Sequence, residues 1–241
     1  TVSFALQYTN VPVANDSSST VHEAALPGGS DAGSTGESTA GVLNFSPGGD
    51  APYTLSVNGE AVAVAGTTQI AGAYGELSID IAGNWIYTLY GDPVAHPVAG
   101  ATGAADVVQE SFAILVTDSD GDEAGATLTI EVTDDGPVAV ADGTVAVDEG
   151  ASVVGNLLAN DTPGADGASL THINGSALVF EPLSGEATVL TALGTLRVTA
   201  DGDYTYTAND NSNGTDVFTY TLTDADGDSA QSTVSFALQD I

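Results

Sequence analysis

The feature that most constrains this chain is that it repeats itself. ESFAILVTDSDGDEAGATLTIEV (residues 110–132) matches VFTYTLTDADGDSAQSTVSFAL (residues 217–238), and GELSIDIAGNWIYTL (75–89) matches GTLRVTADGDYTYTA (194–208). NFSPGGDAPYTLSVNG (44–59) pairs with NDTPGADGASLTHING (160–175), and VPVANDSSSTVHEAA (from Val11) with GPVAVADGTVAVDEGA (from Gly136). The order is kept, so any fold for one half has to serve the other. The alignment divides the chain into a first copy over residues 8–133 and a second over 134–241. The opening heptad TVSFALQ (1–7) is identical to residues 233–239 and reads as the last strand of a preceding copy. With no methionine, the sequence reads as a window from a longer array.

Within each copy, runs of five to eight residues rich in Val, Ile, Thr, Tyr and Phe alternate with Gly, Asn, Asp and Pro. That pattern suits short antiparallel strands rather than strand–helix–strand units. In LRVTADGDYTYTA the Asp201-Gly202 pair, set between two alternating runs, predicts a hairpin turn with positive φ. At about 100 residues per copy the expected fold is all-β, two tandem immunoglobulin-like antiparallel sandwiches. Trp85 lies in an alternating run and aligns with Tyr204, which predicts a core position rather than a sugar platform.

Composition limits the partners. Thirty-three acidic residues stand against one basic residue, Arg197, for a formal net charge of -32. Nucleic acid and anionic membrane would be repelled, and cations are the natural counterpart. The 42% hydrophobic content separates the chain from acidic disordered segments. Cysteine is absent, so disulfides and thiolate metal sites are excluded. No transmembrane run is present.

The acidity is concentrated in two matching places. Asp118-Ser-Asp120-Gly-Asp122 and Asp224-Ala-Asp226-Gly-Asp228 each precede the last strand of a copy, and Asp134 and Asp135 lie where the copies meet. A turn there makes alternate carboxylates converge, and two of them about 4 Å apart repel by about 1 kcal/mol in water and about 4 kcal/mol at intermediate dielectric. Calcium fits such a set, since it takes 6 to 8 oxygens at about 2.3–2.6 Å in flexible geometry. An EF-hand is excluded because its closing glutamate position holds Thr129 in one copy and Ser235 in the other. The turn before the last strand of a sandwich shares a pole with the start of the first strand, so Asp224, Asp226 and Asp228 are expected to face Asp134 and Asp135.

NLLANDTPGADGASLTHING, GTLRVTADGDYTYTANDNSNGTDVFTYTLTDADGDSA, and WIYTLYGDPVAHP followed by DSDGDEAGATLTIEVTDDGP resemble the tandem repeats of giant bacterial RTX adhesins. The second copy is similar to their VCBS and cadherin-like repeats, the first to their type I secretion target repeats. The resemblance covers nearly all of the chain after Gln7. It implies a cadherin-like sandwich, type I secretion, an extracellular place on the bacterial cell surface, and service as an extender carrying adhesive tips in adhesion and biofilm formation. It also implies calcium at the joints between repeats. Carried onto this sequence, that points to Asp118, Asp120, Asp122, Asp134, Asp135, Asp224, Asp226 and Asp228, with Glu23 and Glu149 as weaker candidates. The implied partners are calcium ions and adjacent repeats of the same chain, which is expected to be monomeric. The nonapeptide repeats of a calcium β-roll do not occur in this sequence.

Enzyme activity has no support in the sequence. His22, His96 and His172 share no ligand spacing, and neither a nucleophile elbow nor a phosphate loop occurs. The Asn-x-Ser/Thr triplets at Asn160 and Asn213 follow from turn composition. The competing function is a module binding sugar, peptide or a neighbouring adhesin. The main insertion, residues 91–106, is Ala-, Gly-, Val- and Pro-rich with no aromatic residue to build such a site.

Overall fold

A computed structural model describes residues 10–49 and 51–240. The expected strand over Thr1 to Gln7 lies outside the described residues. The chain forms two compact units, each built around a five-stranded and a four-stranded β-sheet. One unit comprises the chain up to Glu23 with Ser34–Val94 and Val107–Thr133. The other comprises Ala24–Gly33, Ala95–Asp106 and the chain from Asp134 onward. The second unit therefore takes in two excursions from the first copy, one of them most of the 91–106 insertion.

The units share one topology. In the first, a five-stranded sheet runs Ser17–His22, Glu123–Asp134, Gly103–Thr117, Thr54–Val57, Glu60–Ala61. Its four-stranded sheet runs Ser38–Val42, Asn84–Leu89, Gly75–Asp80, Thr67–Ala71. In the second, the orders are Gly143–Asp148, Ser229–Gln239, Gly214–Asp224, Ala168–Ile173, Ser176–Ala177 and Ser152–Asn156, Asp203–Ala208, Gly194–Thr199, Glu186–Leu190. In both units the first strand of the five-stranded sheet pairs with the last in parallel, Val21 opposite Val132 and Val147 opposite Leu238, while Gly103–Thr117 with Thr54–Val57, Gly214–Asp224 with Ser229–Gln239, and Gly214–Asp224 with Ala168–Ile173 are antiparallel. The short pair Val13–Ala14 with Phe45–Ser46 recurs as a single bridge between Val138 and Thr162. Both copies are thus the immunoglobulin-like sandwich that the alternating runs predict.

The alternation explains the cores. Trp85, Tyr87 and Leu89 point inward from Asn84–Leu89, and Tyr204, Tyr206 and Ala208 from Asp203–Ala208, all buried. Trp85 and Tyr204 each lie over a glycine directly across the sheet, Gly41 and Gly155. A Cβ at either glycine would come within 2.6 Å of the ring or its hydroxyl, so only glycine lets the aromatic lie flat there. Tyr206 stacks on Phe236 at 4.1 Å, and Phe218 meets both edge-on. In the first unit Tyr87 meets Phe112 edge-on.

A buried tyrosine–carboxylate contact also repeats. Tyr87 donates to Glu110 Oε2 at 2.6 Å and Tyr206 to Asp216 Oδ2 at 2.9 Å. Burial first, then the adjacent carboxylate, pushes both phenols above their ordinary range. The copies differ locally at Leu170. The buried residues Leu55 and Val57 are two apart, whereas Leu170 and Ile173 are three apart, and a bulge between Leu170 and His172 returns Ile173 to the core. At the 201–202 hairpin, the positive φ falls on Gly202, at 83°.

Candidate metal centre

The two DxDGD sequences fold into the same turn. Asp118 donates its N–H to the Asp122 carbonyl at 3.1 Å, and Asp224 donates to the Asp228 carbonyl at 3.1 Å. In each, the leading carboxylate folds back to accept two amides. Asp118 Oδ1 takes Gly121 and Asp122 at 3.1 and 2.9 Å, and Asp224 Oδ1 takes Gly227 and Asp228 at 3.0 and 2.7 Å. The glycines hold φ of 98° and 103°, a left-handed conformation that resists any other residue. Within each turn three carboxylate oxygens converge to within 4.8 Å of one another.

What surrounds the second turn sets it apart. Asp134 and Asp166 converge with Asp226 in a further group within 4.8 Å. Asp134 is only 4% exposed, yet among the described residues neither of its oxygens has a hydrogen-bond donor. Both oxygens of Asp226 and Oδ2 of Asp166, Asp224 and Asp228 are buried in the same way. Burial, then the Asp228 carboxyl and the charges of Asp226 and Asp228, pushes Asp134 up to about 8. Asp224 rises to about 7 through burial and the Asp226 side chain, and Asp166 to about 6 through burial and the charges of Asp226, Asp135 and Asp228. At Asp118 burial also raises the pKa, but hydrogen bonds from the Asp120 side chain and the amides of Asp122, Gly121 and Asp120 outweigh it and hold the group below the ordinary range.

Two excursions brace this second cluster. Gly100, in the inserted segment, donates its N–H to Asp228 Oδ1. Asp135 is held by its own donors: the Ser30 amide at 2.8 Å, the Ser30 hydroxyl, and the Ala165 amide at 3.1 Å. Within the insertion Asp106 Oδ2 accepts the Val98 amide at 2.6 Å, and its Oδ1 lies 3.7 Å from His96 Nδ1. His96 is buried there.

The two weaker candidates, Glu23 and Glu149, differ from each other. Glu23 is fully buried and accepts the Val94 amide. Glu149 follows the first strand of the second sandwich, and its N–H binds the carbonyl of Gln239 at 3.0 Å. Because that strand runs parallel to the last one, Glu149 lies at the end of the sandwich away from Asp224, Asp226 and Asp228, and it joins no converging acidic group among the described residues. Asp166 is the residue that sequence reasoning passed over. Its signal was available, since the repeat alignment places it opposite Asp50, an acid at the same step of both copies.

The donor set is hard oxygen throughout, and the one basic side chain of the sequence, Arg197, lies 3.7 Å from Glu186. Such a set fits calcium, whose shell accepts 6 to 8 oxygens at about 2.3–2.6 Å, better than a soft metal.

The fold defines a class: tandem immunoglobulin-like β-sandwiches. The model of the family described as Bacterial Ig domain matches residues 134–237. No curated protein matches the chain. Among solved structures it is similar to the EC1-4 repeats of Drosophila N-cadherin, with 14% identity, a TM-score of 0.35, and coverage of 95% of this chain and 49% of that one. For EC22-24 of mouse cadherin-23 the values are 16%, 0.34, 96% and 68%. For the human desmocollin-1 ectodomain they are 14%, 0.32, 97% and 42%. The chain thus spans about half the length of the N-cadherin structure.

Proposed function

We propose that this chain is an extender segment of a large bacterial surface adhesin, made rigid by calcium and exported by a type I system. In that role it holds distal adhesive domains away from the cell for adhesion and biofilm formation, and it catalyses nothing itself. The observation that carries the reading is Asp134, a carboxylate almost wholly buried beside Asp166, Asp226 and Asp228 and reached by no hydrogen-bond donor among the described residues. Such a group is costly unless a cation joins it. The cation that fits would be held by Asp134, Asp166, Asp224, Asp226 and Asp228, with Asp118, Asp120 and Asp122 forming a second site. Asp135 would shape the first site through Ser30 and Ala165. Bound calcium would remove the repulsion among these carboxylates and fix the chain where the copies meet.

Small-angle scattering tests this. EDTA should shorten the maximum dimension and millimolar calcium restore it, whereas added sodium chloride, which only screens, should not restore the same length. Superimposable profiles with calcium and with chelator would sink the extender mechanism.

A further inference from the structure

We propose that the acidic cradle of the second unit takes two divalent cations, bridged by Asp226. The inference rests on the calcium reading above and concerns how the ions are divided. Ligand oxygens around one calcium lie about 2.3–2.6 Å from it, so two of them can be no more than about 5 Å apart. The cradle's carboxylates form two groups that satisfy this limit, Asp134 with Asp166 and Asp226, and Asp224 with Asp226 and Asp228. No single group among the described residues holds all five. Asp226 alone belongs to both.

The hydrogen bonding of each carboxylate agrees with this division. Asp224 and Asp228 each commit Oδ1 to backbone amides and keep Oδ2 without a donor, which suits one bond to an ion apiece. Asp226 has both oxygens without a donor, as a carboxylate spanning two ions requires. Asp134, 4% exposed, and Asp228, 2% exposed, are the buried acids of the set, and their carboxyls meet where the two groups adjoin. Charge points the same way. Five carboxylates carry a formal charge of −5 when ionised; one divalent ion leaves −3 in a half-buried site, and two leave −1. Metal pairs about 3.5–4 Å apart are sustained in proteins by such shared ligands. The turn at Asp118, Asp120 and Asp122 shares no residue with another group among the described residues, and the bridged pair is proposed for the second unit alone.

Native mass spectrometry of the full chain in calcium tests the proposal by difference from wild type. Asp226→Asn should lose two ions, while Asp166→Asn and Asp228→Asn should lose one each, with circular dichroism confirming the β fold. Loss of one ion from Asp226→Asn, or of two from Asp166→Asn, would overturn the bridge and leave a single calcium. No loss from any variant would overturn the calcium reading of the cradle as well. A second measurement on the wild type is independent of folding in the variants. Terbium luminescence should be quenched by energy transfer when a second lanthanide is titrated in, and terbium emission unchanged on co-loading would also overturn the bridge.

Discussion

The two DxDGD turns are the same object in different company. Their glycines hold φ of 98° and 103° and their internal hydrogen bonds agree to within a few tenths of an ångström, yet burial and the Asp226 carboxyl raise Asp224 to about 7 while Asp118 is held below the ordinary carboxylate range. The difference lies in burial: desolvation and the Asp226 carboxyl raise Asp224, whereas hydrogen bonds from the Asp120 side chain and the turn's own amides outweigh burial at Asp118, and Asp134 and Asp166 add a further converging group with Asp226 beside the second turn. A local motif sets where carboxylates point; its surroundings set how strongly they need a cation.

The largest expected separation is in response to a chelator. Calcium at 100 times its dissociation constant adds about 2.7 kcal/mol to the form that binds it, and 1 kcal/mol moves the midpoint of a unit this size by about 4–8 °C. EDTA should therefore lower melting of the second unit by about 10–20 °C and that of the first by much less. Trp85, the only tryptophan, reports the first unit by fluorescence, while calorimetry follows both. Equal shifts would erase the distinction between the turns.

A smaller effect should appear in pH titrations with chelator present, with opposite signs. Asp134, Asp166 and Asp224 have folded pKa values raised to about 8, 6 and 7 against an unfolded value of about 3.9. The folded second unit then binds more protons than the unfolded chain across that window, and its stability falls as pH rises from about 4 to about 8. Asp118 is lowered, so its contribution to the first unit is present above about pH 4 and lost as pH falls. Calorimetry at several pH values, alongside Trp85 fluorescence, checks the signs. A second unit that gains stability across the window would contradict the buried-acid account.

The smallest is a substitution whose sign depends on the ion. In EDTA above about pH 8, where Asp134 is ionised, Asp134→Asn removes one buried charge beside Asp226 and Asp228 and should stabilise the second unit by on the order of 1 kcal/mol; in calcium the same change should destabilise it. Thermal midpoints under both conditions decide this, and destabilisation in EDTA would count against the isolation of Asp134.

How far the sequence foretells all this follows range of contact. The strands were legible because side-chain alternation is local, and the DxDGD turns because spacing and glycine determine convergence within five residues. The pairing of Asp134 with the second turn followed from the parallel return of the first strand to the last. Asp166 stayed hidden because its loop reaches the cradle only through tertiary packing. So did the role of the 91–106 insertion, which without aromatic residues gives no hint that the Gly100 amide would meet Asp228. Glu149 was placed with the cluster by its nearness to the first strand in sequence, and the parallel pairing takes it to the other end.

That parallel pairing has a mechanical consequence. In each sandwich the first strand enters at one pole and the last leaves at the other, held side by side over residues 17–22 against 128–133 and 143–148 against 234–239. Tension applied through these two strands acts along their common axis, so the hydrogen bonds between them lie across the line of pull and share the stress together. An antiparallel pair gripped at one end would instead open one bond at a time, like a zip. The strand arrangement that brings the two ends of each copy to opposite poles thus also sets its joining seam in shear.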